Sequence, residues 1–155
     1  MRRTKPEKKV IPADIRYQNR NVQLLIHHIL RRGKKSTATT VVYKTFDLLE
    51  AQGKRNPVEI YEQALKNVGP LMEVRPRRVG GATYQIPMEV QEDRRITLAL
   101  RWIIDGAKGR AGKSFAEKLS AELMDAANNQ GAAVHKRDET HKMAEANRAF
   151  SHFRI

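Results

Sequence analysis

The chain has 155 residues, no cysteine, and 30 Lys and Arg against 17 Asp and Glu, a formal net charge of +13. That length suits one domain with a modest core. The missing thiols exclude disulfides, thiol catalysis and Cys-ligated zinc, and so large a surplus of one sign points to a polyanionic partner, nucleic acid first. No apolar run approaches the roughly 18–20 residues that a membrane span needs. The opening Met-Arg-Arg-Thr-Lys-Pro-Glu-Lys-Lys segment carries no hydrophobic signal core, so a soluble intracellular protein is expected.

Residues 1–12 hold Arg2, Arg3, Lys5, Lys8 and Lys9 against Glu7 alone, and read as a flexible basic arm that orders on a partner. Residues 13–155 read as a single helical domain. Val22, Leu25, Ile26, Ile29 and Leu30 repeat at helical spacing and stop at Arg31-Arg32-Gly33, where Gly33 is expected at the left-handed position closing the helix. Ser36 is the expected cap of a second helix with the stripe Ala38, Val41, Val42, Thr45 and Leu49, ending at Gly53. Asn56-Pro57-Val58-Glu59 combines a cap, a first-position proline and a capping-box acid. The third helix follows with Val58, Tyr61, Leu65 and Val68 inward and Gly69-Pro70 as its stop.

Between 72 and 90 the pattern changes to two extended runs around Gly80-Gly81, a β-hairpin. Each run holds a proline, Pro76 and Pro87, which only edge strands tolerate. A three-residue loop, Gly80-Gly81-Ala82, would set Met72 opposite Val90 and Val74 opposite Met88, matching the apolar sets across the ribbon. That register is the one expected.

The fourth helix, about 93–108, buries Ile96, Ala99, Leu100, Ile103 and Ala107 and stacks Arg94, Arg101 and Lys108 along another side. Ser114 with Glu117 caps a fifth helix facing the core through Phe115, Leu119, Leu123 and Ala126, with Gly131 as its end. The last helix is expected to bury Met143, Ala146 and Phe150 and to carry Arg137, His141 and Arg148 on another face. The fold class that results is mainly α: a single-domain bundle of about six helices with one protruding β-hairpin between helices three and four.

Ala107-Lys-Gly-Arg-Ala-Gly-Lys-Ser114 fits a relaxed nucleotide-loop pattern, and a phosphate-loop hydrolase using Gly112-Lys113-Ser114 is the enzymatic alternative. Against it, the preceding segment is helical and no parallel-sheet pattern holds the loop; a basic connection with Ser114 as cap explains the residues. The histidines lack metal-ligand spacing: His27 and His28 are adjacent and His135 and His141 are six apart. No nucleophile meets a base, so no catalysis, metal or cofactor is expected. Trp102 fits a partly buried structural ring better than a base-stacking one. The basic residues recur in separate patches: Arg31, Arg32, Lys34 and Lys35 in a loop, Arg75, Arg77 and Arg78 on the ribbon, Arg94 and Arg95 at a helix start, Lys136 and Arg137 near another. Dispersed patches suit a folded RNA better than one duplex groove. A general DNA-binding architectural protein is the second alternative.

Arg77-Arg78-Val-Gly-Gly-Ala-Thr-Tyr-Gln-Ile-Pro-Met-Glu-Val90 resembles the hairpin signature of the small-subunit ribosomal protein seven family. Gly33-Lys-Lys-Ser-Thr-Ala38, Arg101-Trp-Ile-Ile104, Gly112-Lys-Ser114 and the stretch from Lys142 to Arg154 extend the match in order. The resemblance implies a protein that binds the 3′ major domain of small-subunit ribosomal RNA and nucleates head assembly. It also implies a place at the subunit interface near exit-site tRNA and mRNA, beside small-subunit proteins nine and eleven, in a cytoplasmic ribosome or an organellar one. Carried onto this chain, the RNA-facing residues are Arg2, Arg3, Lys5, Lys8, Lys9, Arg31, Arg32, Lys34, Lys35, Arg75, Arg77, Arg78, Arg94, Arg95, Arg101, Lys108, Arg110, Lys113, Lys136 and Arg137. The exit-site side comprises Val79, Gly80, Gly81, Ala82, Thr83, Tyr84, Lys142 and Arg148. Two departures from the family pattern stand out: Arg32 where an acidic residue is common, and an end at Ile155 without the longer tail of some bacterial members.

Overall fold

A computed structural model describes residues 10–153. Six helices and one hairpin follow in chain order: α1 Arg20–Ile29, α2 Lys35–Gly53, α3 Pro57–Val68, β1 Met72–Val79, β2 Ala82–Glu89, α4 Glu92–Gly109, α5 Phe115–Ala127 and α6 Ala132–Ala146, then a 3-10 turn Arg148–Phe153. The expected mainly α architecture, with the hairpin between α3 and α4, is the one observed.

Helix α5 is the hub. Leu119, Leu123 and Ala126 are fully buried, and α5 packs on α2, α3 and α4 and touches α6. The other side of the core is aromatic: Phe46 of α2 lies with its ring centroid 5.5 Å from Tyr61 of α3 and 5.0 Å from Tyr17. Burying one such ring contributes about 1.5–3 kcal/mol. The Tyr61 hydroxyl, fully buried, donates to the Asn21 carbonyl at 2.8 Å and ties α3 to α1; burial pushes that hydroxyl well above the usual phenol range. Tyr61→Phe should therefore cost about 1 kcal/mol in chemical denaturation, the net worth of one hydrogen bond, while the ring stack keeps the fold intact.

Several helix ends differ from expectation. Helix α1 ends with Leu30 as its cap, so Gly33 lies beyond it. Arg32 and Gly33 both take left-handed backbone, φ +52° and +73°, in the turn to α2. That turn starts α2 at Lys35, so Ser36 sits inside its first turn and the capping residue is Lys34, with no side-chain cap bond. Gly53 belongs to α2, and Lys54 makes the left-handed stop at φ +49°. Gly53 is needed for space rather than conformation: a Cβ there would come 2.7 Å from Ile60 Cδ1, where α2 passes α3. Asn56 caps α3 as expected, its Oδ1 accepting from Val58 N at 3.0 Å. Ser114 caps α5 through Glu117 N at 3.3 Å. Asn129 makes the left-handed turn after α5, and Gly131 opens α6 instead of closing α5.

Two further expectations are overturned. Met143 is 45% exposed and Ala146 is also exposed, whereas Ala133, Val134, Thr140 and Ala144 are buried. The inward face of α6 is a narrow stripe of small residues, a weaker signal in sequence than a lone methionine. The hairpin loop is two residues, not three: Met72 pairs with Glu89, Val74 with Pro87 and Val79 with Ala82. Gly80 and Gly81 sit at φ +58° and +90°, the double positive φ of a primed turn whose twist suits the strands. Matching apolar pairs across the ribbon is unnecessary because its base is covered from outside. Ile86 and Pro87 are buried on opposite faces, and the strands pack against α6 and the 3-10 turn.

Candidate nucleic-acid interface

Helix α4 organises the exposed positive charge. Arg94, Arg101 and Lys108 are all exposed, and a seven-residue step sets them roughly 10 Å apart along one side of the helix. At the start of that row, Arg94 Nε meets Glu73 Oε2 of β1 at 2.8 Å, and Arg75 Nε meets Glu73 Oε1 at 2.7 Å. Glu73 keeps only 8% of its side-chain exposure while both arginines remain about half exposed. The carboxylate is thus a pivot that fixes the hairpin to α4 and leaves the guanidinium edges outward. At the far end, Lys108 bridges Asp105 at 2.6 Å and shares a cleft with His28, Ile29 and Arg31 at the end of α1. Arg31, Arg32, Lys34 and Lys35 are all exposed there. The row therefore runs from the hairpin base to the α1–α2 turn.

The hairpin tip is open. Gly80, Gly81, Ala82 and Thr83 are exposed, as are Arg77 and Arg78, while Val79 is half-buried. Tyr84 is held in place by Phe150, ring centroids 5.2 Å apart. Lys142 and Arg148 are exposed, and Arg148 lines a groove with Leu71, Pro87 and His141 beside the hairpin base. In that groove the Leu71 backbone N–H donates to His141 Nε2 at 3.0 Å, which requires that nitrogen unprotonated. Burial, and then the charge of Arg137, lower the imidazole below its ordinary 6.5, with Asp138 opposing. The folded state thus binds fewer protons than the unfolded chain just below 6.5, and stability should fall as pH drops from about 6.5 through the lowered value. Denaturation midpoints at about pH 7.5 and about pH 5.5 should diverge more for the parent than for His141→Gln; equal divergence would remove His141 as the cause.

The model of the ribosomal protein S7p/S5e family matches residues 1–148. Small ribosomal subunit protein uS7 of Methylorubrum populi is 54% identical, that of Prochlorococcus marinus strain NATL1A 51% and that of Thermomicrobium roseum 50%. Each match spans 153 residues, 99% of this chain and 98% of the relative. The chain belongs to the ribosomal protein S7p/S5e family.

Its membership in a family of structural ribosomal proteins removes the hydrolase alternative, and the local geometry agrees. Residues 107–109 of the nucleotide-loop-like stretch are the last turn of α4, and the one sheet among the described residues is the hairpin. Lys113 is exposed in the connection to α5, and its backbone N–H donates to Glu117 at 3.3 Å. Among the described residues no group of three His, Asp or Glu side chains is placed to hold a metal ion, and no helix is long and apolar enough to cross a membrane. Trp102 is half-buried against the core, the structural placement expected of it.

Three of the arginines expected to face RNA also bond within the fold. Arg95 Nε donates to the Gly69 carbonyl at 3.1 Å, closing α3. Arg137 reaches the Asn67 carbonyl and Asn129 Oδ1, the latter at 2.9 Å. Arg110 Nε donates to Glu122 Oε2 at 2.5 Å, and the same guanidinium bonds Asp125. Burial pulls the Arg110 guanidinium down, but its bonds to Glu122 and Asp125 outweigh that and raise it above the ordinary value. Lys136 bridges Glu139 at 2.9 Å on the surface. Arg2, Arg3, Lys5, Lys8 and Lys9 lie outside the described residues, as do Arg154 and Ile155. The organising carboxylates Glu73 and Glu122 were missed in sequence, where a lone glutamate reads as a solvated face.

Proposed function

We propose that this chain is a non-enzymatic constituent of the small ribosomal subunit that binds the 3′ major domain of its RNA and nucleates head assembly. The observation that carries the reading is the row of Arg94, Arg101 and Lys108 on α4, joined at one end to the hairpin and at the other to Arg31, Arg32, Lys34 and Lys35. A row with several separate cationic stations suits a folded RNA that presents phosphates from more than one helix. The relatives' printed names place them in the small subunit, and in this reading the chain works there too, in a cytoplasmic ribosome. The exposed tip at Gly80–Thr83, with Lys142 and Arg148, faces exit-site tRNA and mRNA, and small-subunit proteins nine and eleven are its neighbours.

The test is salt dependence. Each neutralised phosphate steepens the fall of log K with log salt by about 0.7–0.9, so binding to a transcript of the 3′ major domain should show a slope of roughly −4 or steeper. A slope near zero would overturn the proposal. Duplex DNA should compete poorly; equal competition would favour the DNA-binding alternative.

A further inference from the structure

Where the row of cations ends, the surface is not flat. Between the C-terminal end of α1, the last turns of α4 and the first residue of α5 lies a cleft of about 280 Å³ lined by His28, Ile29, Arg31, Ile104, Lys108 and Phe115. Ligand pockets run to about 300–1,000 Å³, so this cleft, at the lower edge of that range, has room for a ring the size of a base. Its chemistry is divided. Ile29, Ile104 and the half-buried Phe115 ring make apolar walls that pack against the core, while Arg31 and Lys108 supply cations at the rim.

His28 adds direction. Its Nδ1 lies 2.9 Å from the Leu24 carbonyl, an acceptor only, so Nδ1 carries the proton. In the neutral ring Nε2 is then an acceptor, on a residue that lines the cleft. An aromatic wall, a fixed hydrogen-bond acceptor and flanking cations are the parts by which proteins hold an unstacked base.

We propose that this cleft receives one unpaired nucleobase of the bound RNA, stacked on Phe115, with an amino or imino N–H donated to His28 Nε2 and flanking phosphates on Arg31 and Lys108. The proposal rests on the RNA-binding reading above and adds a base-specific element to contacts that would otherwise touch only the backbone. The acceptor favours a base whose exposed edge offers a donor. Asp105, which pairs with Lys108 at 2.6 Å, keeps that lysine at the rim until a phosphate competes for it.

The experiment uses the full-length chain and a transcript of the 3′ major domain, with base-edge chemical probing and affinity measured together. Phe115→Leu keeps an apolar wall and removes the ring. His28→Asn keeps a donor for the Leu24 carbonyl and removes the distal acceptor. Thermal melts confirm that both variants are folded. One unpaired nucleotide should be protected by the parent and unmasked by both variants, with affinity lost by roughly five- to 150-fold for Phe115→Leu, the range of one stacked base. The salt slope should be unchanged, because no phosphate contact is lost. Lys34→Ala with Lys35→Ala should flatten the slope without unmasking that nucleotide. If the parent binds the RNA but both cleft variants bind and protect as it does, the cleft proposal fails and the RNA-binding reading stands. If the parent itself does not bind, the reading beneath it fails.

Discussion

Glu122→Ala should destabilise the fold by about 3 kcal/mol, the usual cost of breaking a buried charge pair. On a chain of this size that is roughly 6–12 °C in melting temperature. Glu122 is fully buried, yet three elements meet at its carboxylate. Oε2 accepts from Arg110 Nε at the end of α4, and Oε1 accepts the Ala133 backbone N–H at 2.9 Å in the first turn of α6. Removing the carboxylate leaves an arginine that is only 28% exposed with Asp125 as its remaining partner, orphans a buried N–H, and opens a void. Glu122→Gln retains the volume and an acceptor for Ala133, so its cost should be less than half as large. Equal melting of the two variants would show that the charge, which both remove, and not the packing or the Ala133 bond, holds the junction. The packing there is close in any case, because a Cβ on Gly106 would stand 2.8 Å from Glu122 Oε1.

The largest effect on RNA binding should come from the turn after α1. Replacing Arg31, Arg32, Lys34 and Lys35 together with alanine should flatten the salt slope by about 3, four contacts at 0.7–0.9 each, and lower affinity by orders of magnitude at low salt. Removing the hairpin tip, Val79 to Thr83, should leave slope and affinity within a few-fold of the parent. The tip residues are uncharged, while the nearest arginine held to the bundle, Arg75, sits at the base through Glu73. Filter binding on the 3′ major-domain transcript reads both. Loss of all affinity on removal of the tip would mean that the ribbon is the anchor and the bundle only its mount. The substitutions in the turn are expected to fold, since all four side chains are exposed.

Much of this is legible in the sequence alone. Six helices and a hairpin follow from apolar spacing and from the change of period at 72, and Asn56-Pro57 and Ser114 mark their helix starts correctly. Glycines were less informative, because one residue type serves different needs. Gly33 makes a turn beyond a cap, Gly53 clears a path for Ile60, and Gly131 begins a helix instead of ending one. Pairing apolar residues across the ribbon predicts the wrong hairpin register, because that rule holds for sheets whose own two faces divide core from water. Here α6 and the 3-10 turn cover the base, so the turn geometry of Gly80-Gly81 sets the register.

The cations divide in the same way. Their number and dispersal, readable in the chain, point to a polyanionic partner met by several patches and not by one recognition helix. Which of them face that partner depends on where the carboxylates fold to. Arg110 and Arg137 sit in charge runs like the others, but Glu122, Asp125 and the Asn67 carbonyl reach them from residues 12 to 70 positions away. Arg94 and Arg75 are gathered on Glu73 yet stay half exposed. Local spacing fixes which helix face a side chain shares, since that depends only on the helical repeat. Which donors are consumed within the fold is a matter of long-range pairing, and only the packed tertiary structure decides it.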